Sequence, residues 1–193
     1  MDFKLTPEQE AFWKEVHDFI QKESTSELAN ELNSGLGLGP LGWQFLRKLG
    51  ERGWLVPTLP REYGGIGGSY MQHFIIFDEC SYFFPEMLTT FGAHIVAPVL
   101  MKVGSEEQKR KYLPGIARGE TEFCIGYSEP EAGSDLANIG IRAEEQDDCY
   151  LINGQKTFNT GCHYAQYHWL CARTEGTERK HRGLSLFIVP LGS

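Results

Sequence analysis

The sequence has no apolar run approaching the length that spans a bilayer, no long basic tract and no pair of cysteines in C-x-x-C spacing. Acidic residues outnumber basic ones, 26 to 18, for a formal net charge of -8. A phosphate-neutralising face for nucleic acid is therefore not expected. The densest basic run, Arg179-Lys180-His181-Arg182, is short and lies between two strand-like segments. It reads as a solvated loop, with a nucleotide-phosphate contact as the alternative. Cys80, Cys124, Cys149, Cys162 and Cys171 are odd in number and suit reduced thiols, not a disulfide frame or a zinc site. Cys124 and Cys171 lie in apolar runs and read as small core residues. Met1-Asp2-Phe3-Lys4 resembles neither a secretory signal nor an Arg-rich transit segment, so the expected location is cytoplasmic, without a membrane span. Internal repeats and low-complexity tracts are also missing.

What is present falls into two halves. Thr6-Pro7-Glu8-Gln9 offers an N-cap, a proline at the first helical position and a capping-box glutamine. Phe12, Trp13, Val16, Phe19 and Ile20 then recur at helical spacing. Residues 24–40 are rich in Ser, Asn and Gly and read as a loop. A second helix is expected over 41–52, burying Leu41, Phe45, Leu46 and Leu49, with Gly53 as its stop. A third runs from about Ser69 to Phe83 and a fourth from about Met87 to Val103. Ser105-Glu106-Glu107-Gln108 is a second capping box, opening a short helix that should end at Leu113-Pro114.

After Glu120 the period becomes that of strands. Phe123–Tyr127, Trp169–Ala172 and Leu184–Val189 are β-prone, and Tyr150–Ile152 and Lys156–Phe158 flank Asn153-Gly154, a hairpin signal. Helices followed by strands predict an α+β chain: an all-α domain over 1–120 and a β-domain over 121–193.

Gly37-Leu38-Gly39-Pro40-Leu41-Gly42 matches the dinucleotide pattern G-x-G-x-x-G, but a polar segment precedes it and Pro40 interrupts it. Without a preceding strand it reads as an inter-helix loop. The segment from Ile125 to Asp135 runs from a strand to Glu129-Pro130, where proline ends the ladder. Gly133-Ser134-Asp135 then makes a turn whose free amides suit either an ordinary polar link or an anion such as a pyrophosphate. Phe158 reads, on its own, as core packing beneath a hairpin. Glu129, Glu131 and Asp135 read as solvated or capping carboxylates. His163 and His168 lack a third ligand for a metal, and His94 suits a hydrogen-bonded core histidine.

In one sequence order, several islands resemble the acyl-CoA dehydrogenase family: Gly53-Trp54-Leu55-Val56-Pro57 with Glu62-Tyr63-Gly64-Gly65, then Ser105-Glu106-Glu107-Gln108-Lys109 with Tyr112-Leu113-Pro114 and Arg118-Gly119-Glu120. Tyr127-Ser128-Glu129-Pro130-Glu131-Ala132-Gly133-Ser134-Asp135, Ile152-Asn153-Gly154-Gln155-Lys156-Thr157-Phe158-Asn159-Thr160-Gly161 and His181-Arg182-Gly183-Leu184-Ser185 complete the set. The resemblance implies a helical domain followed by a mostly antiparallel, barrel-like middle domain that binds FAD. It implies that Ile125, Gly126, Tyr127 and Ser128 line the flavin, and that Gly133 and Ser134 lie near it, with Ser134 also beside the CoA portion of the substrate. It further implies that Phe158 stacks on the isoalloxazine in the place of the family's usual Trp. Thr160 would donate near flavin N5, and Asn159, unusual at its position, would contribute main-chain contact alone. The implied activity is α,β-desaturation of an acyl-CoA to a trans-2-enoyl-CoA, with electrons passed to an electron-transferring flavoprotein. In the family the catalytic base is a glutamate on a C-terminal helical domain, so no catalytic residue is assigned here. The expectation is a truncated or half-subunit form, inactive alone and working within a homo- or hetero-oligomer. The alternatives are a non-catalytic assembly subunit and a flavin oxidase or monooxygenase of the same fold.

Overall fold

The computed structural model describes residues 4–84, 90–176 and 180–192. The residues Met1–Phe3, the expected helix start at Met87 and Arg179 of the basic run lie outside these. The chain divides into two compact units, Met1–Glu122 and Phe123–Ser193.

Local signals explain most helix ends in the first unit. Helix α1 (Pro7–Glu23) opens on the Thr6/Gln9 capping box and buries Val16 and Ile20. Phe12 and Phe19 from the same helix meet the edge of Trp54, at 5.9 and 5.5 Å between ring centroids. The expected loop over 24–40 contains a helix, α2 (Ser26–Leu32), capped by Thr25 and buried at Leu28 and Leu32. Tertiary burial of two leucines one turn apart overrides the polar composition between them.

Helix α3 (Pro40–Glu51) shows why the glycine pattern before it is no nucleotide loop. The carboxylate of Glu31 accepts from the backbone N–H of Leu41 and Gly42, at 3.2 and 2.6 Å. It takes the place at the helix N-terminus that an external anion would occupy. A Cβ at Gly39 would come within 2.5 Å of Glu31 Cδ, so the glycine clears that approach.

Helix α4 (Tyr70–Phe83) opens on a Ser69/Gln72 capping box and buries Ile75, Ile76, Glu79 and Cys80, while Tyr70, Met71, Phe74 and Tyr82 are exposed. The buried Glu79 carboxylate accepts from Trp13 Nε1 at 2.5 Å and pairs with His17 Nδ1 at 2.9 Å, tying α4 to α1. Trp13→Phe keeps the ring contact and removes one donor while His17 stays. The expected loss is about 1 kcal/mol, because Trp13 is partly exposed. Urea denaturation checks it, and an unchanged midpoint would show that the bond adds nothing to water's own.

A π-helical turn, Gly92–Val96, leads into α5 (Ala97–Val103). Buried Glu122 accepts from the Gly92 N–H at the start of that turn. His94 packs edge-on against Phe77 with centroids 4.9 Å apart, and burial, reinforced by nearby His73, lowers its pKa to about 4. It is a neutral core imidazole. Helix α6 (Glu106–Ala117) starts at the expected capping box but runs through Pro114 instead of ending there. Leu113, Ile116 and Ala117 are buried on both sides of the proline, and that burial outweighs the lost backbone bond.

The second unit holds a five-stranded sheet: β1 (Phe123–Gly126), β2 (Arg142–Gln146), β3 (Cys149–Asn153), β4 (Tyr167–Arg173) and β5 (Leu184–Pro190). β4 is central. β5 pairs with it antiparallel from Tyr167↔Pro190 to Arg173↔Leu184. On its other edge β1 runs parallel to it from Phe123↔Tyr167 to Gly126↔Leu170, and β2 joins at Arg142↔Arg173. β2 and β3 form a hairpin turning at Asp147-Asp148, with Asp147 at φ 42°.

Two expectations are corrected here. The sheet is open among the described residues, not barrel-like, and its largely antiparallel pairing is mixed with parallel pairs of β1 and β2 to β4; it curls enough to bring the rings of Tyr150 of β3 and Phe187 of β5 to 5.1 Å between centroids. The Asn153-Gly154 hairpin does not form: β3 ends at Asn153, and residues 155–159 leave the sheet as an irregular segment. Gly154, at φ 147°, adopts a backbone that lets the chain pass against Ile141, whose Cγ1 would lie 2.6 Å from an added Cβ. One face of the sheet buries Leu170, Ala172 and Ala143 with Ile139 and Ile141. Cys124 and Cys171 are buried and outside any disulfide, as small core residues should be.

Candidate functional site

β1 ends at Gly126, and the chain then passes through Tyr127 and Ser128 into a tight turn. Glu129 and Ala132 close that turn with two backbone bonds, 2.7 and 3.2 Å, spanning the donor-less Pro130. The Glu129 side chain does not face solvent. Its carboxylate accepts from the N–H of Gly140 at 2.6 Å and of Ile141 at 3.1 Å, and forms an ion pair with Lys156 Nζ at 2.9 Å. The two side chains are only 9% and 3% exposed, so this pair is buried. Burial pushes the Glu129 carboxyl up, but the Gly140 amide, Lys156 and the Ile141 amide together hold it below the ordinary carboxylate range.

Lys156 reaches further, donating to the Tyr127 carbonyl at 3.0 Å, while the Thr157 N–H donates to the Ser128 carbonyl at 2.9 Å. Residues 127–129 and 156–157 are thus stitched together side by side. Tyr127 is fixed from the other direction, its hydroxyl accepting from Trp169 Nε1 at 3.0 Å.

Directly after this stitch the chain makes a protruding turn. Phe158 sits at φ 55° and is 90% exposed. A left-handed backbone at a bulky aromatic costs of order 1–3 kcal/mol, and here no burial of the ring offsets it. The turn is held by Thr160 N–H donating to the Phe158 carbonyl and Cys162 N–H to the Asn159 carbonyl, at 3.0 and 3.1 Å. Thr160 is exposed beside Phe158. The Thr157 hydroxyl at its root is buried without a hydrogen-bond partner. Native structures keep few such atoms, and they call for a water or ligand to supply the bond.

The structure therefore brings Tyr127 and Ser128 alongside the Phe158–Thr160 turn. Ile125 is half-buried at its end of β1, and Gly126 is buried beneath His168. Gly133 and Ser134 are exposed in the bend after Ala132, where Gly133 has open space around it. The Asn159 side chain is turned to the sheet, its Oδ1 3.0 Å from His168 Nε2. Sequence reading missed three participants: Glu129, taken for a solvated or capping carboxylate, Lys156, taken for a strand residue, and His168. No local signal announces the ion pair, because Glu129 and Lys156 lie 27 residues apart and meet only in the folded unit.

Lys156, Asn159 and His168 also form the polar side of a cleft of about 310 Å³, with Ile141, Ile152 and Leu170 opposite. Burial, and then the charge of Lys156, lowers the pKa of His168, so the ring is neutral near pH 7. With Glu129 engaged by Lys156 and two amides, the assembled residues suit holding a ligand, not transferring protons.

The sequence matches the acyl-CoA dehydrogenase N-terminal domain over residues 6–120 and the acyl-CoA dehydrogenase middle domain over residues 124–193. The chain belongs to the acyl-CoA dehydrogenase family. It is 40% identical to acyl-CoA dehydrogenase FadE26 of Mycobacterium tuberculosis, over 98% of this chain and 49% of that protein. A chain of the ChsE4-ChsE5 complex from Mycobacterium tuberculosis superposes with a TM-score of 0.87 at 39% identity, covering 98% of this chain and 48% of that one. A chain in the electron transferring flavoprotein structure from Acidaminococcus fermentans gives 0.84 at 29% identity, covering 100% and 50%. The chain spans about half the length of the curated relatives it matches. Among its described residues no helix is long and apolar enough to cross a membrane.

Proposed function

We propose that this chain supplies one side of an FAD site in an acyl-CoA dehydrogenase that converts an acyl-CoA to a trans-2-enoyl-CoA. The observation that carries the reading is Phe158: an aromatic ring held out into solvent on a left-handed backbone, next to Thr160. A residue so placed contributes nothing to the core and is positioned to cover a flat ring system. The residues present fit the cofactor. The exposed Thr160 hydroxyl beside that ring and the exposed bend at Gly133 and Ser134 offer polar contacts to such a group.

When bound, FAD supplies the two-electron acceptor for the desaturation. In this reading Phe158 covers one ring face, Ile125, Gly126, Tyr127 and Ser128 line the flavin, Asn159 contributes main-chain contact alone, and Thr160 donates toward its N5 side. Gly133 and Ser134 approach the phosphates, with Ser134 also reaching the CoA portion of the substrate. The base, the rest of the acyl pocket and the passage of electrons to an electron-transferring flavoprotein belong to further sequence or to a partner subunit. The name of the ChsE4-ChsE5 complex supports a heteromeric assembly as the setting. The exposed aromatic side chains of α4 are a surface for such contacts.

The chain alone should bind FAD weakly, with a dissociation constant in the millimolar range, because half a site desolvates and preorganises little. Phe158→Ala should weaken that binding about tenfold, through lost stacking area. Titration followed by flavin fluorescence or by protein resonances checks both. Equal affinity in wild type and Phe158→Ala would remove Phe158 from the flavin site.

A further inference from the structure

Several contacts among the described residues hold the Phe158–Thr160 turn to the sheet. On the N-terminal side the anchors are Lys156 and the Thr157 N–H, both bonded to residues 127–129. Beyond Phe158 backbone bonds join residues 158 to 160 and 159 to 162, and the Gly161 carbonyl accepts from the N–H of Tyr164 and Ala165, at 3.1 and 3.0 Å, just before β4. Among the described residues a side-chain bond also ties this part of the turn to a strand: Asn159 Oδ1 to Nε2 of His168, the second residue of β4. With the amide oxygen toward the ring, Nε2 carries the proton and donates.

The ring reaches that position because the neighbouring strand has no side chain beneath it. Gly126 closes β1, and a Cβ there would lie 2.1 Å from His168 Nε2 and 2.6 Å from Cε1. Real Cβ atoms do not come that close, so any other residue at 126 displaces the imidazole. Gly126 is not at positive φ and is not in a turn, so backbone conformation gives no reason for glycine at the end of this strand. Room for His168 does. Gly126, Asn159 and His168 therefore form one device spanning β1, the turn and β4.

We propose that His168 is a positioning residue: through Asn159 it fixes the far side of the Phe158–Thr160 turn, and Gly126 is glycine so that it can. The proposal rests on the reading of that turn as the flavin face, which it extends by naming what sets the height and tilt of Phe158 and Thr160 above the sheet. His168 itself need not touch the cofactor. Its burial keeps it neutral, which suits a fixed donor to an uncharged amide.

The test uses the isotope-labelled 193-residue chain in solution. In the wild type, long-range nitrogen–proton correlations should show a neutral His168 ring protonated at Nε2. The Thr160 and Cys162 amides should be protected from hydrogen exchange. Asn159→Leu deletes the bond from the loop side, where folding is not at stake. It should speed exchange at both amides tenfold or more, with the β4–β5 ladder amides unchanged. His168→Phe, which keeps the ring volume, and Gly126→Ala, which leaves the imidazole's chemistry intact, should do the same. His168→Gln, which retains a donor, should restore most of the protection. Wild-type exchange at Thr160 and Cys162 in Asn159→Leu overturns the proposal, even if the strand variants fail to fold.

Adding FAD to millimolar concentration separates this idea from the flavin reading. Shifts at Phe158–Thr160 that weaken threefold or more in Asn159→Leu support both. Equal shifts and affinity in the two proteins would mean that the bond does not serve the flavin. No shift at those residues in the wild type would sink the flavin reading, while exchange data alone would still decide whether His168 positions the turn.

Discussion

Replacing Lys156 with methionine is expected to destabilise the Phe123–Ser193 unit by about 3–5 kcal/mol. The ammonium is nearly sealed from water, and methionine of similar length leaves the Glu129 carboxylate buried without its counter-charge. The Gly140 and Ile141 amides would still satisfy part of that carboxylate, so its geometry should survive longer than its stability. A folded unit of this size is stable by only about 4–10 kcal/mol, which places the variant close to its unfolding midpoint. Urea denaturation followed by Trp169 fluorescence measures it, and a loss under 1 kcal/mol would show the pair to be hydrated and structurally idle. Glu129→Gln should come close to Lys156→Met, because it strands the other charge. The pH dependence follows in sign. Glu129 is held below the ordinary carboxylate range in the folded state, so its contribution is complete above its unfolded pKa. It is lost as pH falls through the lowered folded value. Acid denaturation should therefore begin earlier and fall less steeply in Lys156→Met than in the wild type.

Thr160→Val, examined in the assembled enzyme, should slow reduction of bound flavin by acyl-CoA about ten- to a hundredfold. The two side chains share a shape, and Thr160 is exposed on its turn, so the fold should not register the change. On the proposed reading, what disappears is one hydroxyl donor toward charge that develops as the flavin is reduced. Such a donor, in a site closed to water, is worth up to about 2.7–4 kcal/mol, and sharing with other donors brings the expected effect below that ceiling. Stopped-flow reduction gives the rate, and a parallel flavin-release titration shows whether affinity is spared. Reduction at the wild-type rate would reassign the threonine to the turn's own structure.

The parts of the fold legible in the sequence are those whose cause is local. The Thr6/Gln9 and Ser105/Gln108 capping boxes start α1 and α6 because each supplies its own hydrogen bonds within four residues. The apolar cores of β1, β4 and β5 announced strands for a similar reason. Illegible parts depend on distant partners. β2 reads Arg-Ala-Glu-Glu-Gln with Ala143 alone buried, so no alternation marks it as a strand. Asn153-Gly154 carries a strong hairpin signal, yet the segment after it is claimed by Lys156's buried pairing with Glu129 and leaves the sheet. In the same way, the segments of the candidate site were visible as motifs, but their attachment was not. Nothing near Asn159 in the chain indicates His168, whose place depends on the missing side chain of Gly126.

The parallel pairing of β1 with β4 has a kinetic consequence. The strands β2–β3 and β4–β5 are antiparallel neighbours joined by short connections, which suits closure in microseconds. β1 meets β4 only across the whole of residues 127–166, a loop whose closure entropy precedes any reward from pairing. Every segment of the candidate site lies in or beside that loop. The candidate site should thus assemble at the last and slowest step, after most of the sheet already gives a strand-rich spectrum. A ligand that bridges Tyr127 and Phe158 would act on that step by slowing the reopening of the loop, so cofactor would lengthen the lifetime of the closed unit more than it hastens its formation.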